Sequence, residues 1–178
     1  IRNNICLQKI LKGLKKDLQS NIIIKPYQTE YQNKKFENKI ISEIVFKDKR
    51  YKFDKPNISK QSIYEKSKII VHLSDGTGVL ETLSANIPCV FIMPNLNYIN
   101  IEARKDYQSL VKAKILFFNH KDLTEHINSN YFKIDEWWKN LEVIKIKKSF
   151  CDKYCAPSPK NYLDELNNFL SKKNINVI

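Results

Sequence analysis

The stretch KIIVHLSDGTGVLETLSANIPCVFIMP, residues 68–94, decides the fold of this chain. Residues 68–73 are rich in β-branched side chains and predict a buried strand. Residues 74–78, here named the 74–78 turn, contain two of the three glycines in the chain. Residues 79–86 place their apolar side chains on one side of a helix, and residues 87–93 form a second apolar strand. This order of elements is the signature of two parallel strands joined by a right-handed crossover.

Helix-like and strand-like patterns alternate along the rest of the chain. The spacing of apolar residues at 5–20 predicts an amphipathic helix that begins at a cap formed by Asn3 or Asn4. Residues 49–56 have the composition of a loop. Further strands are predicted at residues 21–27, 42–47 and 115–118, and further helices at 59–67 (capped by Ser59), 102–113, 121–128, 134–140, 141–154 and 162–170. The alternation predicts an α/β fold, namely a Rossmann-like, doubly wound, mostly parallel sheet of about five strands with helices on both faces and a helical C-terminal tail.

The length of 178 residues suits one domain, and no low-complexity linker divides the chain. We therefore expect residues 1–178 to form a single Rossmann-like domain. The chain starts without Met and without the features of a signal peptide, so we expect a further domain upstream. Residues 120–178 would form a helical tail that contacts that N-terminal domain. No run of apolar residues is long enough to predict a transmembrane helix.

The net charge of +12 comes almost entirely from lysine, because only Arg2, Arg50 and Arg104 are arginine. Proteins that read nucleic acids depend on arginine for bidentate contacts, so we expect no nucleic-acid partner. The lysines either lie on solvated faces or form a basic cleft or a membrane-facing patch for anionic donors or lipids.

The four cysteines do not have the spacing of a zinc site or of a disulfide framework. Cys89 lies within an apolar run and is expected to be buried, while Cys151 and Cys155 are one helical turn apart. A reducing, cytoplasmic setting fits this pattern best.

The 74–78 turn has the features of a phosphate site. It would lie at the carboxyl end of a parallel strand, where open α/β sheets bind ligands. The next helix is expected to begin at about Thr77 or Gly78, and its free amides suit an anion. Ser74 and Thr77 add hydroxyl groups, and Glu81 lies one turn further on, where its carboxylate can reach ribose hydroxyls. Neither a dinucleotide fingerprint nor a P-loop is present. The alternative is a plain tight turn in which Asp75 or Ser74 caps the helix.

Residues 74–91 resemble the donor-side box of GT-B glycosyltransferases, which have a small-residue turn, a helix with an early Glu, and a Pro before the next strand. Residues 77–88 are similar to a group of bacterial O-antigen and capsule transferases. The likeness covers roughly residues 20–170. It also includes Lys25 with the following Pro-Tyr, the Glu-x-Arg segment of Glu102 and Arg104, and the pair Trp137 and Trp138.

The resemblance implies a nucleotide-sugar donor bound between two Rossmann-like domains. It assigns the donor phosphates to Ser74, Asp75, Gly76, Thr77 and Gly78, and the ribose to Glu81, with Thr82 beside it. Lys25, Glu102 and Arg104 complete the predicted donor site, and the two basic residues would neutralise the diphosphate or a sugar carboxylate. Lys25 departs from the pattern, because related chains often have Arg there. The acceptor contacts and the catalytic base would come from the other domain, so no catalytic residue is assigned.

The remaining polar and aromatic candidates have simpler interpretations. His72 is expected to be a structural residue of its strand, and His120 and His126 to face solvent. Asp75 is expected to serve the turn or cap the helix rather than act as a base or metal ligand. One of the two tryptophans is expected in the core and the other at a domain interface.

The sequence thus predicts the donor-binding domain of a nucleotide-sugar-dependent glycosyltransferase in bacterial surface polysaccharide biosynthesis. Its acceptor would be a glycan or a lipid-linked acceptor, and the protein would be cytoplasmic, with peripheral association at the inner face of the membrane. No cofactor or metal is expected, because the chain has no Asp-x-Asp motif and the helix dipole with basic side chains would take the phosphate charge. The alternatives are a nucleotide-sugar epimerase, a polyol-phosphate transferase, or a basic module that binds nucleic acid or membrane.

Overall fold

A computed structural model describes residues 2–25, 52–53 and 59–155 of the chain. These residues form an α/β fold with parallel strands and helices. The strands are β1 Ile23–Ile24, β2 Lys52–Phe53, β3 Ile70–His72, β4 Cys89–Ile92 and β5 Leu116–Phe117. The helices are α1 Arg2–Gly13, α2 Lys16–Gln19, α3 Lys60–Lys66, α4 Thr77–Ser84, α5 Arg104–Lys112, α6 His120–Asn130, α7 Ile134–Trp138 and α8 Leu141–Tyr154, with a 3₁₀ turn at Tyr131–Lys133 between α6 and α7.

Strands β3, β4 and β5 form a parallel sheet with β4 in the centre. His72 pairs with Phe91, and Ile92 pairs with Phe117. All four residues of β4 are buried, because the central strand has a helical layer on each side. The connection from β3 through α4 to the parallel strand β4 confirms the strand–turn–helix–strand unit that the sequence predicts for residues 68–93.

The described residues do not confirm the predicted five-stranded, doubly wound sheet. The order β3-β4-β5 follows the chain without reversing in this part of the molecule, and β1 pairs with β2 in a separate two-stranded parallel sheet. Strand β2 lies within residues 49–56, where we expected a loop, so pairing with β1 overrides the local composition. The strand predicted at residues 42–47 lies outside the described residues.

Helices pack on both faces of the three-stranded sheet, as predicted. On one face, Cys89 and Phe91 contact α4, α5, α7 and α8 in what we call the first core. On the other face, Val90 and Ile92 contact α1, α2 and α6 in the second core. Alternate residues of β4 supply the two cores because successive side chains of a strand point to opposite faces.

The predicted helix at residues 5–20 is divided into α1 and α2. Helix α1 begins at Arg2, so Asn3 and Asn4 lie inside it and do not act as its cap. Asn128 of α6 satisfies the backbone at the break, because its amide donates to the Gly13 carbonyl at 2.9 Å and its oxygen accepts from the Lys15 amide at 2.9 Å. The two groups exposed by the break therefore find partners on a different helix.

Residues 120–155 pack on the three-stranded sheet. Helix α6 contributes Leu123 and Ile127 to the second core, whereas α8 contributes Val143 and Phe150 to the first. Helices α6, α7 and α8 confirm the helical character predicted for this region. The helix predicted at residues 162–170 lies outside the described residues, and the contact with an N-terminal domain stays a prediction.

Both tryptophans are internal. Trp138 is 3% exposed, and the half-buried Trp137 donates its indole N–H to the Ala113 carbonyl at 3.0 Å. Trp138 confirms the expectation of one tryptophan in the core, whereas the interface contact expected for the other stays a prediction, since Trp137 packs against both cores but is only half-buried. His126 differs from expectation, since its ring lies between Phe117 and Trp137 instead of facing solvent, and burial lowers its pKa to about 4.

Candidate functional site

The 74–78 turn lies at the carboxyl end of β3 and leads directly into α4, which begins at Thr77 as predicted. Ser74, Gly76 and Thr77 are exposed, and Asp75 and Gly78 are half-buried. Among the described residues, no side chain caps the N-terminus of α4, where Gly76 is the N-cap. The alternative in which Ser74 or Asp75 caps this helix is therefore wrong. The uncapped amides and the positive end of the helix dipole can attract an anion.

Asp75 joins the turn to the helix after the next strand. Its carboxylate accepts a hydrogen bond of 2.7 Å from the hydroxyl of Tyr107 on α5. Tyr107 is 9% exposed and packs edge-on against Phe91 and Phe150. Burial, followed by the bond to Asp75, raises the pKa of Tyr107, so the phenol remains a donor at neutral pH. Asp75 thus serves the turn, although through a tertiary contact and not as a cap.

His72 and Thr82 support the first turn of α4 from inside the fold. The Thr82 hydroxyl donates to both the Gly78 carbonyl, at 2.9 Å, and the Val79 carbonyl, at 3.0 Å. It therefore accepts the 3.0 Å bond from His72, which must hold its proton on Nε2. Burial lowers the pKa of His72 to about 4, and the ring is neutral at physiological pH. Thr82 is 0% exposed, so its role is to hold His72 and the helix, and it does not contact a ligand in this conformation.

Gly78 is required by a close approach to His72. A Cβ at this position would lie 3.2 Å from His72 Cε1 and 3.3 Å from His72 Nδ1, tighter than ordinary van der Waals contact. At Gly76, in contrast, a Cβ would meet nothing within 4 Å. Close packing therefore favours glycine at position 78, whereas packing places no such limit on the side chain at position 76.

Glu81 faces α3. Lys60 Nζ lies 3.4 Å from its Oε1 and 3.3 Å from its Oε2, and the hydroxyl of Tyr64 donates to Oε2 at 3.2 Å. Lys60 and Tyr64 are not among the residues that the sequence predicts for this site. Their i, i+4 spacing in the helix capped by Ser59 shows that they share a face, but nothing in the sequence indicates that this face meets Glu81.

Arg104 and Glu102 belong to the segment between β4 and α5. The guanidinium of Arg104 donates to the Ile99 carbonyl through Nε at 3.2 Å and to the Asn97 carbonyl through Nη2 at 3.4 Å. Arg104 therefore braces residues 97–103, whereas Glu102 is exposed. Because β3 and β4 are adjacent parallel strands, this segment and the 74–78 turn lie at the same edge of the sheet.

The structure brings the predicted residues together in two groups. The first is the 74–78 turn with Glu81, to which the structure adds His72, Lys60 and Tyr64. The second is the segment with Glu102 and Arg104, joined to the first through Tyr107 on α5. Lys25 is exposed directly after β1, in the two-stranded sheet. Its predicted contact with the donor stays a prediction.

Two other features of the described residues bear on ligand binding. Within residues 2–25, 52–53 and 59–155, no three His, Cys, Asp or Glu side chains are grouped as metal ligands, and the expectation of metal-free chemistry stays a prediction. A shallow cavity of about 180 Å³ lies between α5 and α8, lined by Asp106, Ser109, Lys145, Ile146, Ser149 and Phe150. Residues of the 74–78 turn do not line it.

Comparison with known protein families matches residues 8–170 to the LIC12162 family transferase. The chain belongs to this family. The match spans most of the chain and includes the described sheet, the 74–78 turn and Glu81. Membership in the LIC12162 family identifies the protein as a transferase. This confirms the general class of enzyme that the sequence predicts. Comparisons with curated proteins and with solved structures find no match. In the part of the chain that the structure describes, no helix has the length and apolar character to cross a membrane.

Proposed function

We propose that this chain is the donor-binding domain of a GT-B-type glycosyltransferase that transfers a sugar from a nucleotide carrier during bacterial surface polysaccharide biosynthesis. The observation that carries the proposal is the uncapped N-terminus of α4 at the carboxyl edge of a parallel sheet, with Glu81 one turn further along the helix. The acceptor would be a glycan or a lipid-linked glycan at the cytoplasmic face of the membrane. Membership in a transferase family supports group transfer and does not fit an epimerase.

The donor diphosphate would bind at the 74–78 turn. Ser74 and Thr77 are exposed there and can donate their hydroxyl hydrogens, while the first amides of α4 point out of the helix end. The partial positive charge of a helix N-terminus stabilises an anion by about 0.3–1 kcal/mol at an exposed site and by up to about 2 kcal/mol when partly buried. Lys25 and Arg104 would add positive charge. The guanidinium of Arg104 has more N–H groups than its two bonds to carbonyls use, so the others can donate to the diphosphate.

Glu81 would bind the ribose of the donor. Its side chain is 43% exposed, so part of the carboxylate is open to a ligand. A carboxylate accepts hydrogen bonds at both oxygens and can hold the two hydroxyls of a ribose. The catalytic base is expected on another domain, and no described residue is assigned to that role.

Nucleotide binding measured by isothermal titration calorimetry tests the proposal. The wild-type protein should bind at least one of UDP, CDP, GDP and ADP, and Glu81→Ala should weaken that affinity about tenfold or more, as expected when hydrogen bonds to a charged group are lost. Glu125→Ala is the matched control, because Glu125 is exposed on α6 at the opposite face of the sheet. Equal affinities of the wild type and Glu81→Ala would contradict the role of Glu81, and a wild type that binds none of the four nucleotides would contradict the proposed function.

A polyol-phosphate transferase would use the same phosphate site with a different donor. A product assay with nucleotide-sugars and nucleotide-activated polyols distinguishes the two reactions. Glycosyl transfer predicts release of a nucleoside diphosphate or monophosphate together with a glycosylated acceptor, whereas the rival predicts a phosphodiester in the product.

A further inference from the structure

The carboxylate of Glu81 is held by two side chains of α3 that lie outside the predicted donor site. Tyr64 donates to Oε2 at 3.2 Å, and Lys60 Nζ lies 3.3 Å from Oε2 and 3.4 Å from Oε1. Tyr64 and Lys60 therefore both contact Oε2, whereas Lys60 alone contacts Oε1 at the longer distance. The unequal contacts leave Oε1 as the oxygen with more capacity to accept further hydrogen bonds.

The two residues reach Glu81 from one face of α3. Ser59 caps this helix by accepting from the Ser62 amide at 3.2 Å, which fixes where the helix begins. Lys60 and Tyr64 follow at i and i+4, so they are neighbours on the surface that meets α4. Burial and the nearby Glu81 raise the pKa of Tyr64, which keeps its phenol protonated and able to donate.

This group lies beside the first turn of α4. Besides the larger effect of burial, Glu81 raises and Lys60 lowers the pKa of His72, whose ring lies so close to Gly78 in that turn that a Cβ there would be 3.2 Å from it. A lone carboxylate near a phosphate site would repel a diphosphate, and the ammonium of Lys60 offsets this repulsion. Tyr64, in turn, restricts a long and otherwise mobile side chain to one orientation before a ligand arrives, which lowers the entropic cost of binding.

We propose that Tyr64 and Lys60 are positioning residues that orient the Glu81 carboxylate, with Oε1 available, toward the ribose hydroxyls of a bound nucleoside diphosphate. This inference rests on the proposed function, because it assumes that Glu81 binds ribose. It adds α3 to the donor site and assigns recognition of the 2′ and 3′ hydroxyls to a three-residue group. Tyr64 acts on the ribose only, whereas Lys60 also favours the diphosphate.

The test compares affinities for a ribonucleotide and its 2′,3′-dideoxy counterpart. Calorimetry first identifies which of UDP, CDP, GDP and ADP the wild type binds most tightly, and the dideoxy form of that nucleotide is then titrated. The wild type should prefer the ribonucleotide by about tenfold or more, and Glu81→Ala should remove the preference. Tyr64→Phe should reduce the preference about threefold or more while leaving the affinity for the dideoxy form unchanged.

The Lys60 variants separate charge from geometry. Lys60→Met should weaken binding of both ligands and also reduce the preference, whereas Lys60→Arg should restore most of the affinity because it retains the positive charge. Tyr131→Phe is the control for loss of a phenol hydroxyl, since it is the same substitution at a tyrosine that packs against the second core. Its preference should equal that of the wild type.

The outcomes distinguish this inference from the proposed function. If Tyr64→Phe keeps the full preference, or weakens both ligands by the same factor, the positioning role is overturned while nucleotide binding stands. If the wild type binds both ligands equally, the assignment of Glu81 to ribose is overturned together with the role of α3. If the wild type binds no nucleotide, both the inference and the proposed function are overturned.

Discussion

The hydroxyl of Tyr107 connects the 74–78 turn to α5, the helix that follows the central strand. It donates to Asp75 at 2.7 Å from a position where its ring is enclosed by Phe91, Phe150 and Tyr154. A phenol fixed by packing is a rigid donor, so it defines the position of the Asp75 carboxylate. The shape of the candidate anion site therefore depends on a residue that does not itself face the ligand.

Removing this hydroxyl should destabilise the protein. Tyr107→Phe retains the aromatic packing but leaves the half-buried Asp75 carboxylate without this donor, so we expect the free energy of unfolding to fall by about 1–3 kcal/mol. Urea denaturation followed by tryptophan fluorescence measures the change. Tyr98→Phe is the control, because Tyr98 is 76% exposed and its variant should differ from the wild type by less than about 0.5 kcal/mol. A Tyr107→Phe protein as stable as Tyr98→Phe would show that the bond contributes nothing.

Helix α1 and helix α6 approach closely at Gly13. A Cβ at Gly13 would lie 3.1 Å from Thr124 Oγ1 and 3.2 Å from its Cγ2, so only glycine allows this separation without displacement of Thr124. The same junction contains Asn128, which accepts from the Lys15 amide and donates to the Gly13 carbonyl. One side chain of α6 thereby satisfies the end of α1 and the start of α2.

Asn128→Ala should loosen this pair of helices. Both backbone groups at the α1–α2 break lose their partner, so we expect a loss of about 1–2 kcal/mol in unfolding free energy, comparable to removal of a helix cap. Asn128→Asp should cost less, because its carboxylate still accepts from Lys15 although it cannot donate to Gly13. Ser129→Ala, at an exposed neighbouring position, is the control. The expectation fails if Asn128→Ala and Ser129→Ala have the same denaturation midpoint.

A buried lysine connects the C-terminal end of α4 to helices α7 and α8. Lys147 is 6% exposed, and its ammonium lies 2.9 Å from Asn86 Oδ1, 3.2 Å from the Trp138 carbonyl and 3.6 Å from the centre of the Trp138 ring. The Trp138 indole donates to the carbonyl of Asn86 at 3.0 Å. Asn86 has a φ of 55°, in the left-handed region that ends helices and that asparagine tolerates. The helix that carries the candidate site is thus fixed at its far end by the last described helix.

This lysine should give the molecule a pH dependence in mildly alkaline solution. Burial lowers the pKa of Lys147 from 10.5 to about 8 in the folded state. Between these values the unfolded chain holds the proton and the folded chain does not, so the contribution of Lys147 to stability rises with pH. The difference in unfolding free energy between the wild type and Lys147→Met should change in favour of the wild type by about 2 kcal/mol from pH 8 to pH 10.

Denaturant titrations of both proteins across this pH range measure the difference. Using the difference removes the contributions of tyrosine and cysteine titration, which the two proteins share. Asn86→Gly is a second variant for the same titrations, because it retains the left-handed backbone but removes the side-chain acceptor for Lys147. A difference that stays constant with pH would show that Lys147 remains charged in the folded protein.

The sequence alone determined the local elements around the candidate site. The β-branched run before the 74–78 turn, the two glycines and the apolar face of residues 79–86 were enough to predict β3, the start of α4 at Thr77 and β4. They were enough because strand and helix periodicities are properties of neighbouring residues. The cap at Ser59 and the boundaries of α8 were predicted for the same reason.

Only the tertiary structure decided which residues meet across these elements. The partners of Glu81 are 17 and 21 residues away in the sequence, and Tyr107 is 32 residues from Asp75. Neither the buried position of Thr82 nor the pairing of β2 with β1 is apparent from local composition. Periodicity identifies the face of an element that is buried, but the packing angles and register of the whole chain determine what that face contacts.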